Sequence, residues 1–203
     1  LVEARYRQIP VTRNGWGFFT AGLGWWGKDS RLAYFVDLER DYKTARVVAF
    51  DTTTGTTNIL FEETSATQIN LMLNADDHPT LMPLPESNEL IWFSERSGWA
   101  HCYLYDLETG ELKYPITAGN WLVRNIVHFD SNRRDLFVQT TGRVAERDPY
   151  YRDVVRINID TGEMTTVVSS DHEYLIAVID KEQNTRMARG QRNIPVTCGV
   201  SPS

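Results

Sequence analysis

Residues Leu90–Leu112 read LIWFSERSGWAHCYLYDLETGEL. The segment opens with an apolar run, Leu90 to Phe93, and passes through a charged turn containing Gly98. A second apolar run follows, His101 to Tyr105, and the segment closes on Asp106, Thr109 and Gly110. Two aromatic, β-prone runs joined by a Gly-containing turn predict an antiparallel hairpin. The Asp-x-x-Thr-Gly ending predicts a second turn, because an Asp side chain can accept from backbone N–H groups just ahead of it and Gly supplies positive φ at low cost.

The same unit recurs on both sides. A first copy spans roughly 24–63, with strands expected at Gly24 to Trp26, Leu32 to Val36, Arg46 to Phe50 and Thr56 to Phe61. The segment above belongs to a second copy at 80–117, and a third runs over 123–168. The Thr-Gly turn returns at Gly55, Gly110 and Gly162, spacings of about 55 and 52 residues. Four strands per period of roughly fifty residues is the pattern of β-propeller blades. The runs Leu32–Val36, Leu90–Phe93 and Leu136–Val138 are apolar at successive positions, as in a sheet buried on both faces. The expected fold is therefore all-β: a partial propeller of about three and a half four-stranded antiparallel blades, one domain over 1–203, with an irregular partial blade at 171–203. In that last stretch Leu175 to Ile179 is expected as a strand, Asp180 to Asn193 as a polar connection, and Val196 to Val200 as the first strand of a further unit. The chain is expected to begin and stop mid-blade.

Composition bounds the function. The 203 residues carry a net charge of −6 with no basic stripe, which argues against nucleic-acid binding. No apolar stretch approaches the ~20 residues of a membrane-spanning helix. Cys102 and Cys198 are the only cysteines, too few for a disulfide framework or a zinc site, and Cys102 reads as a small buried hydrophobe.

Catalytic motifs are missing. There is no G-x-S-x-G nucleophile elbow and no phosphate-cradling Gly loop. His78, His101, His128 and His172 lack metal-site spacing and read as surface or hydrogen-bonded strand histidines. The neighbours Asp76-Asp77 and Glu62-Glu63 diverge if extended, so they predict a solvated rim rather than an acid/base pair. No cofactor or metal is expected. Two loop sets differ instead. The loops after the second and fourth strands of each blade are long and hold Glu95, Arg96, Trp99, Trp121 and Arg143; the others are short turns. Long loops at one end of the blades suggest a face that meets substrate or a partner domain. The bland alternatives are a Trp99 that staples its own hairpin and a Glu95–Arg96 loop ion pair of little worth.

The run SERSGWAHCYLYDLETGEL followed by TAGNW resembles the S-E-R-D-G-W-x-H-L-Y-L-Y-D…T-x-G-x-W pattern of the N-terminal propeller of the dipeptidyl peptidase IV family. Trp25 to Val36, Asp51 to Thr67 and Arg152 to Gly162 are similar to flanking stretches of that propeller. The resemblance implies an eight-bladed parent propeller fused to a C-terminal α/β-hydrolase domain. That domain would cut dipeptides, typically X-Pro, from peptide N-termini with a Ser-Asp-His triad. It also implies that the triad, the paired Glu that bind the substrate amine and the Arg that binds the substrate backbone lie outside this chain. The loop Gln68 to Asn74 corresponds to one facing the cavity, which makes Leu71 and Met72 candidate apolar contacts beside Glu95, Arg96, Trp99 and Trp121. Implied partners are the hydrolase domain, a peptide substrate and a second copy of the parent; a periplasmic or secreted parent fits the same resemblance. The competing expectation is a non-enzymatic propeller serving as a protein-binding scaffold, and fold alone does not choose between the two.

Overall fold

A computed structural model describes residues 24–71 and 81–169, together with the strand backbones at 175–176, 186–188 and 197–199. The first sheet is an antiparallel meander of β1 (Gly24–Trp26), β2 (Leu32–Leu38), β3 (Thr44–Asp51) and β4 (Thr57–Thr64). The second follows the same order with β5 (Met82–Leu84), β6 (Glu89–Ser94), β7 (His101–Asp106) and β8 (Leu112–Pro115), and the third with β9 (Leu122–Asp130), β10 (Asp135–Thr141), β11 (Asp153–Asn158) and β12 (Met164–Val168). A 3-10 turn at Pro85–Ser87 leads into β6. Each four-stranded meander is the unit of a propeller blade. Among the described residues no helix is long and apolar enough to cross a membrane.

One turn chemistry builds the β3–β4, β7–β8 and β11–β12 corners. Asp51 Oδ1 accepts from the backbone N–H groups of Thr53 (2.8 Å) and Thr54 (3.2 Å), and Asp106 Oδ1 does so from Glu108 (2.7 Å) and Thr109 (3.0 Å). In the third blade Asn158 Oδ1 takes the same part, accepting from Asp160 and Thr161. Four residues on, Gly55, Gly110 and Gly162 each sit at φ of +73° to +76° and donate to the carbonyl of that Asp or Asn. Gly110 meets a second demand. A Cβ there would lie 2.8 Å from the carbonyl carbon of Leu60 on β4 and would overlap its oxygen, whereas Gly55 and Gly162 have open space around them.

The chain divides into two compact units, Leu1–Arg96 with Cys102–Pro115, and Ser97–His101 with Ile116–Ser203. In the first unit, Tyr34, Val36, Val47, Leu90, Trp92, Tyr103 and Tyr105 share one buried cluster with Ile69 and Leu71. Phe61 stacks on Tyr105 at 3.9 Å between centroids and meets Trp92 edge-on. Tyr34 adds a hydroxyl contact to Asn88. Leu90 and Trp92 alternate along β6 with Ile91 and Phe93, and all four are at most 1% exposed, so both faces of this strand are covered. In the second unit Val123, Leu136, Val138, Val155 and Ile157 are fully buried.

The last stretch departs from expectation. Arg186–Ala188 is a strand (β14) inside the segment expected as a polar connection. It pairs with β13 (Leu175–Ile176) and β15 (Thr197–Gly199) in a three-stranded antiparallel sheet. Thr197–Gly199 thus closes a meander rather than opening a further unit. A strand of three residues flanked by charges leaves no apolar alternation to read. Gly15 to Phe19, which reads in the sequence as the start of a strand, lies outside the described residues.

Candidate functional site

The loops that follow even-numbered strands carry the clustered side chains, in two groups, one in each unit. The first lies in the first unit, where β4 and β6 end. Glu63, the next-to-last residue of β4, points inward, and its carboxylate accepts three hydrogen bonds: from Trp92 Nε1 (2.6 Å), Ser94 Oγ (2.5 Å) and Arg96 Nη2 (2.5 Å). Arg96 also donates to the Tyr105 hydroxyl (2.8 Å, from Nη1) and to Ser94 Oγ (2.9 Å, from Nε), and its guanidinium lies 4.6 Å from the centre of the Tyr103 ring. Burial pulls the Arg96 pKa down, but the Tyr105 hydrogen bond and the Glu63 charge outweigh it and leave the pKa raised. Burial likewise pushes the Tyr105 phenol up, so it remains a neutral hydroxyl at physiological pH. The lock joins β4 of one sheet to β6 and β7 of the next.

Beside this lock is a solvent-open concavity. One wall is the end of β4 and the segment up to Asn70, and the other is Phe93 to Arg96. Its lining is mostly polar, with Thr64, Ser65, Thr67, Gln68 and Asn70 facing Ser94 and Glu95. The Ile69 N–H donates to the Tyr42 carbonyl, which ties that wall back to the β2–β3 loop.

The second place lies in the second unit. His101 is 1% exposed and bonded at both ring nitrogens. Nε2 donates to the Gly119 carbonyl at 3.1 Å, which leaves Nδ1 to accept from the Thr117 hydroxyl at 2.9 Å. Burial lowers the His101 pKa, partly offset by the Gly119 carbonyl, so the ring is neutral at pH 7. Trp121 packs edge-on to His101 at 4.9 Å, and Arg143 from the β10–β11 loop lies over the Trp121 ring at 5.6 Å. Gly119, at φ +132°, lets the indole fold back on its own loop: a Cβ there would be 2.7 Å from Trp121 Cδ1.

The candidate residues therefore separate. Glu95 and Arg96 meet at the concavity, with Glu95 exposed on its rim and Arg96 bonded into the wall. Leu71 is buried in the core of the first unit, and Met72 lies outside the described residues. Trp99 is 41% exposed on the β6–β7 turn. Trp121 belongs to the His101–Arg143 group. Arg96 pairs with Glu63 rather than with its neighbour Glu95. The sequence reading missed Glu63, taken as part of a solvated rim. Glu62 does point outward, to Arg46, while Glu63 is enclosed. Strand alternation predicts that the two diverge, but which one turns inward depends on the bulge at Val47/Val48 that shifts β4 against β3.

Neither arrangement presents an activated nucleophile. Burial pushes the Cys102 thiol up to about 12, away from thiolate chemistry. Among the described residues no group of three or more His, Cys, Asp or Glu is placed to hold a metal ion.

Comparison with known proteins places the fold. The family described as the dipeptidyl peptidase IV (DPP IV) N-terminal region matches residues 21–189. A probable dipeptidyl peptidase 4 of Aspergillus flavus is 28% identical over 97 residues, which cover 47% of this chain and 12% of that protein. Among solved structures, Porphyromonas gingivalis dipeptidyl peptidase 4 superposes with a TM-score of 0.62 at 18% identity, covering 80% of this chain and 23% of that one. A putative dipeptidyl aminopeptidase IV from Bacteroides ovatus gives a TM-score of 0.55, also at 18% identity, over 81% of this chain and 25% of the other. This chain thus spans about an eighth of that curated relative and about a quarter of these structures.

Proposed function

Given that this chain belongs to the dipeptidyl peptidase IV N-terminal region family, we propose that it is a propeller segment of a serine exopeptidase that releases N-terminal dipeptides. In this reading its 203 residues form one propeller portion that screens peptides by size and orients them. An α/β-hydrolase domain of the parent chain carries the Ser-Asp-His chemistry, outside this sequence.

The observation that supports this is the concavity walled by residues 63–70 and 93–96, whose two walls are joined by the Glu63–Arg96 lock. A peptide is held by backbone and side-chain hydrogen bonds, and the Thr, Ser, Asn and Gln side chains here supply both donors and acceptors. Rigid walls lower the ordering cost of binding, so a polar recess braced by a partly buried ion pair suits an orienting role. The test is turnover of an X-Pro chromogenic dipeptide by the full-length parent protein. Release of the chromophore well above background supports the reading, and no release defeats it.

A further inference from the structure

We propose that Arg143, held over Trp121, is a carboxylate-recognition residue for acidic peptides. The inference rests on the peptide-processing role above for its choice of ligand, but the site itself stands on geometry. Arg143 is half-buried, and its contacts are the Trp121 ring and the Thr166 hydroxyl, to which Nη1 donates at 3.3 Å. Arg46, Arg96, Arg134 and Arg147 each rest on a carboxylate at 2.5–2.8 Å. Arg143 has no carboxylate partner among the described residues, although the chain carries six more acidic than basic side chains.

An arginine fixed in this way is prepared for an anion. The Trp121 face takes one side of the guanidinium, and Thr166 engages one of its three nitrogens. The Nε–Nη2 edge is left to offer two parallel N–H groups, the geometry a carboxylate accepts bidentately. The platform is rigid. Trp121 is backed edge-on by His101, His101 is bonded at both nitrogens, and Gly119 leaves no room for a side chain beneath the indole. Such an edge would also take a phosphate, and the carboxylate is chosen because it is the anion that a peptide carries. A peptide offers two sources of that group, an acidic side chain or its C-terminus.

The experiment is isothermal titration of the full-length parent enzyme with peptides lacking an N-terminal X-Pro unit, which an X-Pro exopeptidase leaves uncut. Glu and Gln versions, each with a free or amidated C-terminus, separate the two sources. Wild type is expected to bind one carboxylate form about tenfold tighter than its neutral counterpart. Arg143→Gln should abolish that preference, while Arg40→Gln, at an exposed loop arginine, should retain it. Arg143→Lys keeps the charge without the fork and should keep only part of the preference. Should Arg143→Gln fail to fold, Thr166→Val, which removes one anchor of the guanidinium, should reduce the preference severalfold. Equal binding of charged and neutral peptides by wild type overturns the proposal, as does a preference that survives Arg143→Gln. Because binding is read apart from turnover, the two readings fail separately. An Arg143-dependent preference without X-Pro release defeats only the peptidase assignment, and X-Pro release without the preference defeats only this one.

Discussion

Replacing Gly110 with alanine, beside matched replacements at Gly55 and Gly162, isolates the contact between the second blade and the first. All three glycines have nearly the same φ, between +73° and +76°. Forcing an L-residue into the left-handed region costs about 1–2 kcal/mol, and that penalty is common to the three variants. Their surroundings differ. Nothing lies within 4 Å of a Cβ built at Gly55 or Gly162, but at Gly110 the new carbon would be 2.8 Å from the Leu60 carbonyl carbon and 3.1 Å from its Cα. Carbon atoms prefer about 3.5–4.0 Å, so the turn and β4 must part by roughly 1 Å. The obstacle is backbone and cannot rotate away. Overpacking of this kind adds about 1–3 kcal/mol, which brings Gly110→Ala to about 2–5 kcal/mol against about 1–2 for the other two. Urea denaturation followed by tryptophan fluorescence reads the difference directly: the Gly110→Ala midpoint should fall about 1 M below those of Gly55→Ala and Gly162→Ala. Equal midpoints for the three variants would refute the reasoning.

Three other outcomes are expected. Glu63→Gln and Arg96→Met should each cost about 2–3 kcal/mol, below the ~3–5 of a fully buried pair because Arg96 is a third exposed; a double-mutant cycle in urea should give a coupling of about 1–2 kcal/mol, and additive effects would break the lock as described. Asp106→Asn should be close to neutral, since Asn158 fills that place in the third blade, whereas Asp106→Ala should lose about 1 kcal/mol in thermal denaturation. The lowered His101 pKa means that below its ordinary value of 6.5 the unfolded chain takes up a proton that the folded chain resists. Stability contributed by neutral His101 is therefore complete above pH 6.5 and is lost as pH falls below it. His101→Asn should flatten that part of a stability-versus-pH curve, and an unchanged slope would show that other groups set it.

The blades were legible because their signals are local. His101–Asp106 is a strand over the very residues that the aromatic run marks, and the β3–β4, β7–β8 and β11–β12 turns announce themselves through Asp or Asn four residues before Gly. Strand ends were less legible: β2 runs on to Leu38 and β3 starts at Thr44, because backbone pairing continues past the point where side chains turn polar. The candidate site was legible only as a set of loops. Nothing in the sequence around Glu63 says that it is enclosed, since its partners Trp92, Ser94 and Arg96 lie 29 to 33 residues away. Arg143 resting on Trp121 is a similar long-range meeting, 22 positions apart, with no periodicity to betray it.

The fastenings inside the first unit bear on how it comes apart. Tyr34 reaches Asn88, Glu63 holds Arg96, and the Gly110 turn sits against Leu60, so β2 and β4 of the first sheet are each tied to the second. Repeat proteins ordinarily unravel one module at a time, because neighbours share little beyond a common face. Here the ties lie at opposite ends of the strands, and neither sheet can peel away from one end without breaking the other. The two sheets should therefore behave as a single foldon: in native-state hydrogen exchange the slowest amides of β3 and β6 would open with one shared free energy and the same dependence on denaturant.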